Sequence, residues 1–375
     1  PAPTGLDART QREQFLPWFS TWQTRSPEPG WLQVHLPEQL RQLDQLLGIE
    51  ALLDTFKDKA INHLILVPHQ ALQTLPLHAL FPDRFTISYL PSLRLAQPSS
   101  LPPISTPAPT ANSWPQSEAD EDWLSLGLAD TPTPEQPDVS LLCLESQLDR
   151  KPDVALETGL VCQQFTKVQR LNADITSATA SRQFLGGGYR YWHCFTPMMQ
   201  NSKQPPQSYL ALNDRTKLTF ADLGSLALGE CELISFAYPP QTTTPYPPIE
   251  PDLVNGMTAL LSQGVTYVLY PLWEVDTHAR MLFMIEFYRR LALGSSAIVA
   301  HKQVQLWLRT VTPQELVRWY LDRAQDMETA PNTIAERMTA FAEDLRAQPE
   351  QLNSKEPPYA HPYYWAAFVV MGYPF

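Results

Sequence analysis

Cysteine is scarce. The four residues at 143, 162, 194 and 231 show no CxxC spacing, so neither a zinc site nor a disulfide framework is indicated. Reduced, mostly buried thiols in a cytoplasmic protein are the expectation, and no metal or cofactor is expected. Long apolar runs are missing too: none approaches the roughly 20 residues that a spanning helix needs. The opening Pro1-Ala2-Pro3-Thr4 has no basic-then-apolar start, so no signal peptide is expected in this stretch. It also has no initiator methionine, so either a processed chain or the C-terminal piece of a longer protein is expected. Basic residues fall short of acidic ones, 27 against 39, for a formal charge of -12. That balance disfavours a nucleic-acid partner or an anionic membrane surface.

What is present is a chain of 375 residues, 43% hydrophobic, long enough for a sizeable α/β core. Its 37 prolines exceed the usual share, and the excess clusters at 98–115, 131–137 and 239–251, in loops. Residues 1–60 are expected to form an N-terminal helical segment packing on a main domain over 61–375. In that segment Trp18, Phe19 and Trp22 make an aromatic face, and Leu40, Leu43, Leu46 and Leu47 recur at helical spacing. His63 to Pro68 reads as a short buried parallel strand. Phe85 to Leu90, Val139 to Leu144 and Val168 to Leu171 read as further strands, with a helix over Val154 to Phe165. Residues 97–137, rich in Pro, Ser and Thr, read as a long insertion that Trp114 and Trp123 pin to the domain or to a partner. Thr176 to Leu185 fits a helix before the turn Gly186-Gly187-Gly188.

The organising stretch is Cys231 to Pro240, Cys-Glu-Leu-Ile-Ser-Phe-Ala-Tyr-Pro-Pro, a strand-like run stopped by two prolines. Upstream, Tyr189 to Pro197 reads Tyr-Arg-Tyr-Trp-His-Cys-Phe-Thr-Pro, again β-prone and stopped by proline. Two neighbouring parallel strands ending at one edge are where an open α/β sheet places its chemistry. A hairpin is expected between them, Ser208 to Leu212 turning at Asn213-Asp214 into Lys217 to Phe220. Beyond them come a helix over Leu253 to Gln263 stopped by Gly264, a buried strand over Val265 to Leu272, and a helix beginning near Thr277 under a carboxylate cap from Glu274 or Asp276. Helices over Met281 to Ala292 and Ala297 to Leu308 and a helical pair over Thr312 to Leu345 divided by Pro331 follow. The chain ends in a strand within His361 to Gly372.

These blocks resemble a CHAT domain, the caspase-like module associated with tetratricopeptide repeats. The resemblance rests on Gln204-Pro205-Pro206-Gln207-Ser208, on Lys217-Leu218-Thr219 with Asp222, on Leu272-Trp273-Glu274-Val275-Asp276, and on Gln305-Leu306-Trp307-Leu308-Arg309 and the His361 to Gly372 ending. It implies a caspase-like three-layer αβα sandwich with a mostly parallel central sheet. In the family a His-Gly ends one strand and a Ser-Ala-Cys-Glu ends the next. Counted back without a gap from Gln204, the histidine falls on Pro197; the cysteine, two residues after Ser235, falls on Ala237. Alanine offers no nucleophile, and proline neither an acid nor a base. The acidic residue after the nucleophile is Tyr238 here. His69 and His78 lie in a passage that is structural in the family.

The resemblance therefore implies a catalytically inactive pseudoprotease that binds protein as a scaffolding or regulatory subunit. The partner it implies is a protein with tetratricopeptide repeats or an active caspase-like homologue. A surviving cleft is expected to be lined by Thr196, Ser235 and Tyr238 beside Pro197 and Ala237. The alternative is an active cysteine endopeptidase with a non-standard dyad. His193 and Cys194 cannot supply one between themselves, because successive strand residues face opposite ways.

Overall fold

The computed structural model describes residues 8–57, 59–92, 140–146, 152–171, 188–201, 204, 207–213, 215–223, 226, 228–242, 253–326 and 332–372. The expected insertion at 97–137 and the expected helix at 176–185 lie outside them.

A continuous sheet of eight strands runs through the molecule. The strands are β1 (His63–Leu66), β2 (Thr86–Tyr89), β3 (Ser140–Glu145), β4 (Lys167–Leu171), β5 (Tyr191–Phe195), β9 (Leu233–Phe236), β11 (Tyr267–Pro271) and β12 (Phe368–Gly372), in the spatial order β1-β2-β12-β11-β9-β5-β3-β4. Among the described residues of this sheet only the β11–β12 pair is antiparallel. Strands β3, β5, β9, β11 and β12 are almost wholly buried, which is why they read as continuous apolar runs rather than alternating ones. The first strand departs from expectation: β1 pairs only with β2 and its four residues are half-buried, because it is the sheet's edge. The last begins later than the motif, at Phe368, after a helical turn at Pro362–Trp365.

The longer helices are α1 (Ala8–Arg25), α2 (Trp31–Leu47), α3 (Ile49–Asp54), α4 (Pro152–Gln163), α5 (Leu253–Ser262), α6 (Thr277–Ala292), α7 (Ala297–Thr310), α8 (Pro313–Gln325) and α9 (Asn332–Arg346). Helix α4 carries the chain from β3 outward to β4, while α5 carries it from β9 the other way to β11. Right-handed crossovers in opposite directions put these helices on opposite faces, which makes the three layers. Helices α6 and α7 share the α4 face, where Arg280 of α6 meets Glu157 of α4 and His301 of α7 meets Phe368 of β12. Phe19, Trp22, Trp31 and Leu36 of α1 and α2 join the same continuous core as the sheet.

Local sequence explains the breaks. Asp276 caps α6, its Oδ1 accepting from the backbone N–H of His278 and Ala279. Gly264, with φ of 99°, ends the turn after α5 in a conformation costly for other residues. Thr312 and Glu315 form a reciprocal cap at the start of α8. The Lys217-Leu218-Thr219 and Asp222 motif is also a cap: Thr219 and Asp222 exchange backbone and side-chain bonds at 2.7–3.1 Å around the helical turn Phe220–Leu223.

A second, four-stranded sheet sits after Pro197. It comprises β6 (Met198–Gln200), β7 (Tyr209–Ala211), β8 (Lys217–Thr219) and β10 (Gln241–Thr242), ordered β10-β6-β7-β8. The expected hairpin is β7–β8, antiparallel, with Asn213 Oδ1 bonding the N–H of Arg215 and Thr216 in the turn. Strand β6 was not expected.

Candidate functional site

Strands β5 and β9 are parallel neighbours, with His193 opposite Ser235 and Cys194 opposite Phe236. Both stop at the same edge, so Pro197 and Ala237 stand just beyond adjacent strand ends. The Ala237 N–H bonds the Cys194 carbonyl at 3.1 Å. The smaller sheet covers this edge through Ala211, whose carbonyl accepts from Thr196 Oγ1 at 2.8 Å and Ser146 Oγ at 2.9 Å, and whose N–H bonds the Pro197 carbonyl at 3.0 Å.

The five residues singled out in the sequence come together here, but they do so packed. Thr196 and Ser235 are 0% exposed, Ala237 is 2% and Tyr238 8%, and Pro197 is half-buried. Val154, Phe195, Ala237 and Tyr238 form a small apolar cluster of their own. Tyr238 meets Phe195 edge-on at 5.3 Å, and the Arg280 guanidinium lies 4.9 Å from the Phe195 ring and 5.1 Å from the Tyr238 ring. An aromatic at 238 thus supplies a cation–π surface for Arg280.

Beneath this cluster runs a buried polar line that the sequence reasoning did not find. Ser235 Oγ lies 2.9 Å from His193 Nδ1 and 2.7 Å from the Tyr288 hydroxyl, which donates to the Trp192 carbonyl at 3.2 Å. His193 Nε2 faces Glu157 Oε1 at 3.6 Å, and Glu157 Oε2 accepts from Arg280 Nε at 3.2 Å. The sequence order of a hydroxyl, an imidazole and a carboxylate has the look of a nucleophile relay. Its surroundings argue otherwise: Ser235, His193 and Glu157 are each 0% exposed, and Ser235 is held by two partners at once. It acts as a tie between the sheet and the helices α4 and α6. The signal in the sequence was a histidine and a serine inside otherwise apolar strands.

The four thiols do not gather at the strand ends. Cys194 points to the sheet face opposite His193, as the strand alternation requires, and Cys231 precedes β9 at the far end. Burial pushes the Cys194 and Cys231 thiols up, away from the thiolate. Cys143 bonds Cys162 instead, sulfur to sulfur at 3.2 Å. His78 is buried, its N–H and Nδ1 both on the Tyr89 hydroxyl at 2.8 and 2.9 Å, and His69 starts a 3-10 turn on the surface. Among the described residues no group of three or more His, Cys, Asp or Glu is placed to hold a metal ion, and no helix is long and apolar enough to cross a membrane.

With the geometry in place, the comparison with known families is decisive: the CHAT domain matches residues 37–373, nearly the whole chain. The chain belongs to the CHAT domain family. Its mostly parallel central sheet between helical layers is the caspase-like architecture of that family. The match begins inside α2, after α1. No curated protein matches the chain.

Proposed function

We propose that this chain is a catalytically silent CHAT domain, a pseudoprotease whose fold serves protein binding as a scaffolding or regulatory subunit. The reading rests on one pairing: Pro197 and Ala237, onto which the resemblance carries the family's histidine and cysteine, stand just beyond adjacent strand ends, and neither can ionise, attack or transfer a proton. Support comes from the remaining sulfur chemistry, since Cys194 and Cys231 are buried with raised pKa values and lie away from His193. The packing of Tyr238, Phe195 and Arg280 over Ala237 is a further support. The partner is a protein, either one with tetratricopeptide repeats or an active caspase-like homologue.

The test is a panel of peptide and protein substrates incubated with the full chain, read by mass spectrometry. No cleavage above the buffer control is expected. Turnover that disappears on alkylation of a single cysteine would establish the opposite reading, an active endopeptidase with a non-standard dyad. For the partner, co-purification followed by native mass is expected to give a stable complex with a second protein of one of those two kinds, and a lone monomer would count against it.

A further inference from the structure

Outside the strand-end site, one pair of reactive groups has unusual geometry. Cys143 on β3 and Cys162 in the last turn of α4 bring their sulfur atoms to 3.2 Å, the distance of a close thiol–thiol hydrogen bond. We propose that this pair is an oxidation site: a dithiol that a hydroperoxide converts to an intramolecular disulfide, fastening the end of α4 to β3.

The two sulfurs are not equivalent. Cys143 is 0% exposed, whereas Cys162 is only partly buried and open to a small oxidant. Arg170 of β4 stands opposite Cys143 in the strand register, held by Glu145 at 2.7 Å. Its guanidinium lies close enough to Cys143 to favour the thiolate there. The hydrogen bond it makes with Cys162 and burial outweigh that charge and hold the Cys143 thiol well above the usual range. Cys162, the sulfur that a small oxidant can reach, therefore attacks first.

The chemistry closes on these two residues and the oxidant. The Cys162 thiolate attacks one oxygen of hydrogen peroxide; an S–O bond forms, the O–O bond breaks, and the departing hydroxide takes up a proton as water. The Cys143 sulfur then attacks Cys162; an S–S bond forms, the S–O bond breaks, and a second water leaves with the Cys143 proton. Two thiols lose two electrons and the peroxide gains them. From 3.2 Å the sulfurs need to approach by only about 1.2 Å to reach disulfide length.

The consequence reaches the buried polar line, because α4 also carries Glu157, on which His193 and Arg280 converge. A cross-link at Cys162 fixes that helix on the sheet. The inference does not depend on whether the chain cleaves peptide.

The experiment treats the reduced full chain with stoichiometric hydrogen peroxide, then maps cysteines by non-reducing digestion and mass spectrometry. The expected result is loss of two of the four thiols, a Cys143–Cys162 linked peptide reversed by dithiothreitol, and a melting temperature raised by about 4 °C. Cys162→Ser is expected to give neither the link nor the rise, and it suffices alone if a Cys143 variant folds poorly. In Cys143→Ser, Cys162 is expected to accumulate as a sulfenic acid that dimedone labels. Unchanged thiol content, a link between any other pair, or sulfinic acid at Cys162 of the unsubstituted chain would overturn the proposal.

Discussion

Replacing Ser235 by alanine separates a structural tie from a dormant catalytic hydroxyl. The side chain removed bonds His193 Nδ1 at 2.9 Å and the Tyr288 hydroxyl at 2.7 Å, in a site with no exposure. Tyr288 keeps its bond to the Trp192 carbonyl, so the orphaned group is Nδ1 of His193. A buried polar atom left without its partner costs about 1–3 kcal/mol. The smaller group adds almost no cavity, and about 2 kcal/mol is the expected loss for Ser235→Ala. In urea titration this lowers the midpoint by roughly 0.5–1 M at unchanged slope. Tyr288→Phe alone is expected to cost about 1 kcal/mol, and the double variant less than the sum, with a coupling above about 0.5 kcal/mol for groups in one network. An unchanged midpoint in Ser235→Ala, or strict additivity of the two changes, would refute the reasoning.

Two further outcomes follow from the same core. His301 is buried and neutral; burial lowers its pKa to about 4, only partly offset by its bond to the Phe368 carbonyl at 2.8 Å. The unfolded chain binds a proton there near pH 6.5 and the folded one does not, so stability falls as pH drops from 6.5 toward 4, by on the order of 3 kcal/mol in total. Denaturation series at pH 7, 5.5 and 4 check the sign, and stability that rises on acidification through this window would contradict it. Gly372 ends β12 with φ of 150°, and a Cβ there would collide with the Thr266 carbonyl oxygen. Gly372→Ala is expected to cost about 3 kcal/mol and to deplete soluble protein, and a normal melting temperature would show that the strand end can move.

How much of this was legible in the sequence depended on the range of the interaction involved. Asp276 as the cap of α6 was readable because a carboxylate two or three residues before its N–H partners is a local fact. The strands β3, β5, β9 and β11 were readable because burial on both faces leaves an uninterrupted apolar run. The same run at His63 to Leu66 misled as to depth, since nothing in four residues says whether a strand has one neighbour or two. Strand β6, three residues long and directly after Pro197, is too short to carry a period. The tie between His193 and Ser235 rests on the register of strands 42 residues apart. The approach of Cys162 to Cys143 rests on how one helix turn lands on the sheet. Residue type alone gives neither. What the sequence did supply at the site was the identity of the residues at the strand ends, where packing then placed Tyr238 and Phe195 around Ala237.

The central claim, that no peptidase site operates at these strand ends, is tested most directly by residue-resolved labelling with a peptide carrying a thiol-directed electrophile. The account predicts no peptide-dependent adduct: Cys194 and Cys231 unmodified, Cys162 modified no faster than by the electrophile without its peptide. A stoichiometric adduct on one cysteine, dependent on the peptide sequence and abolished by substituting a histidine, would contradict it.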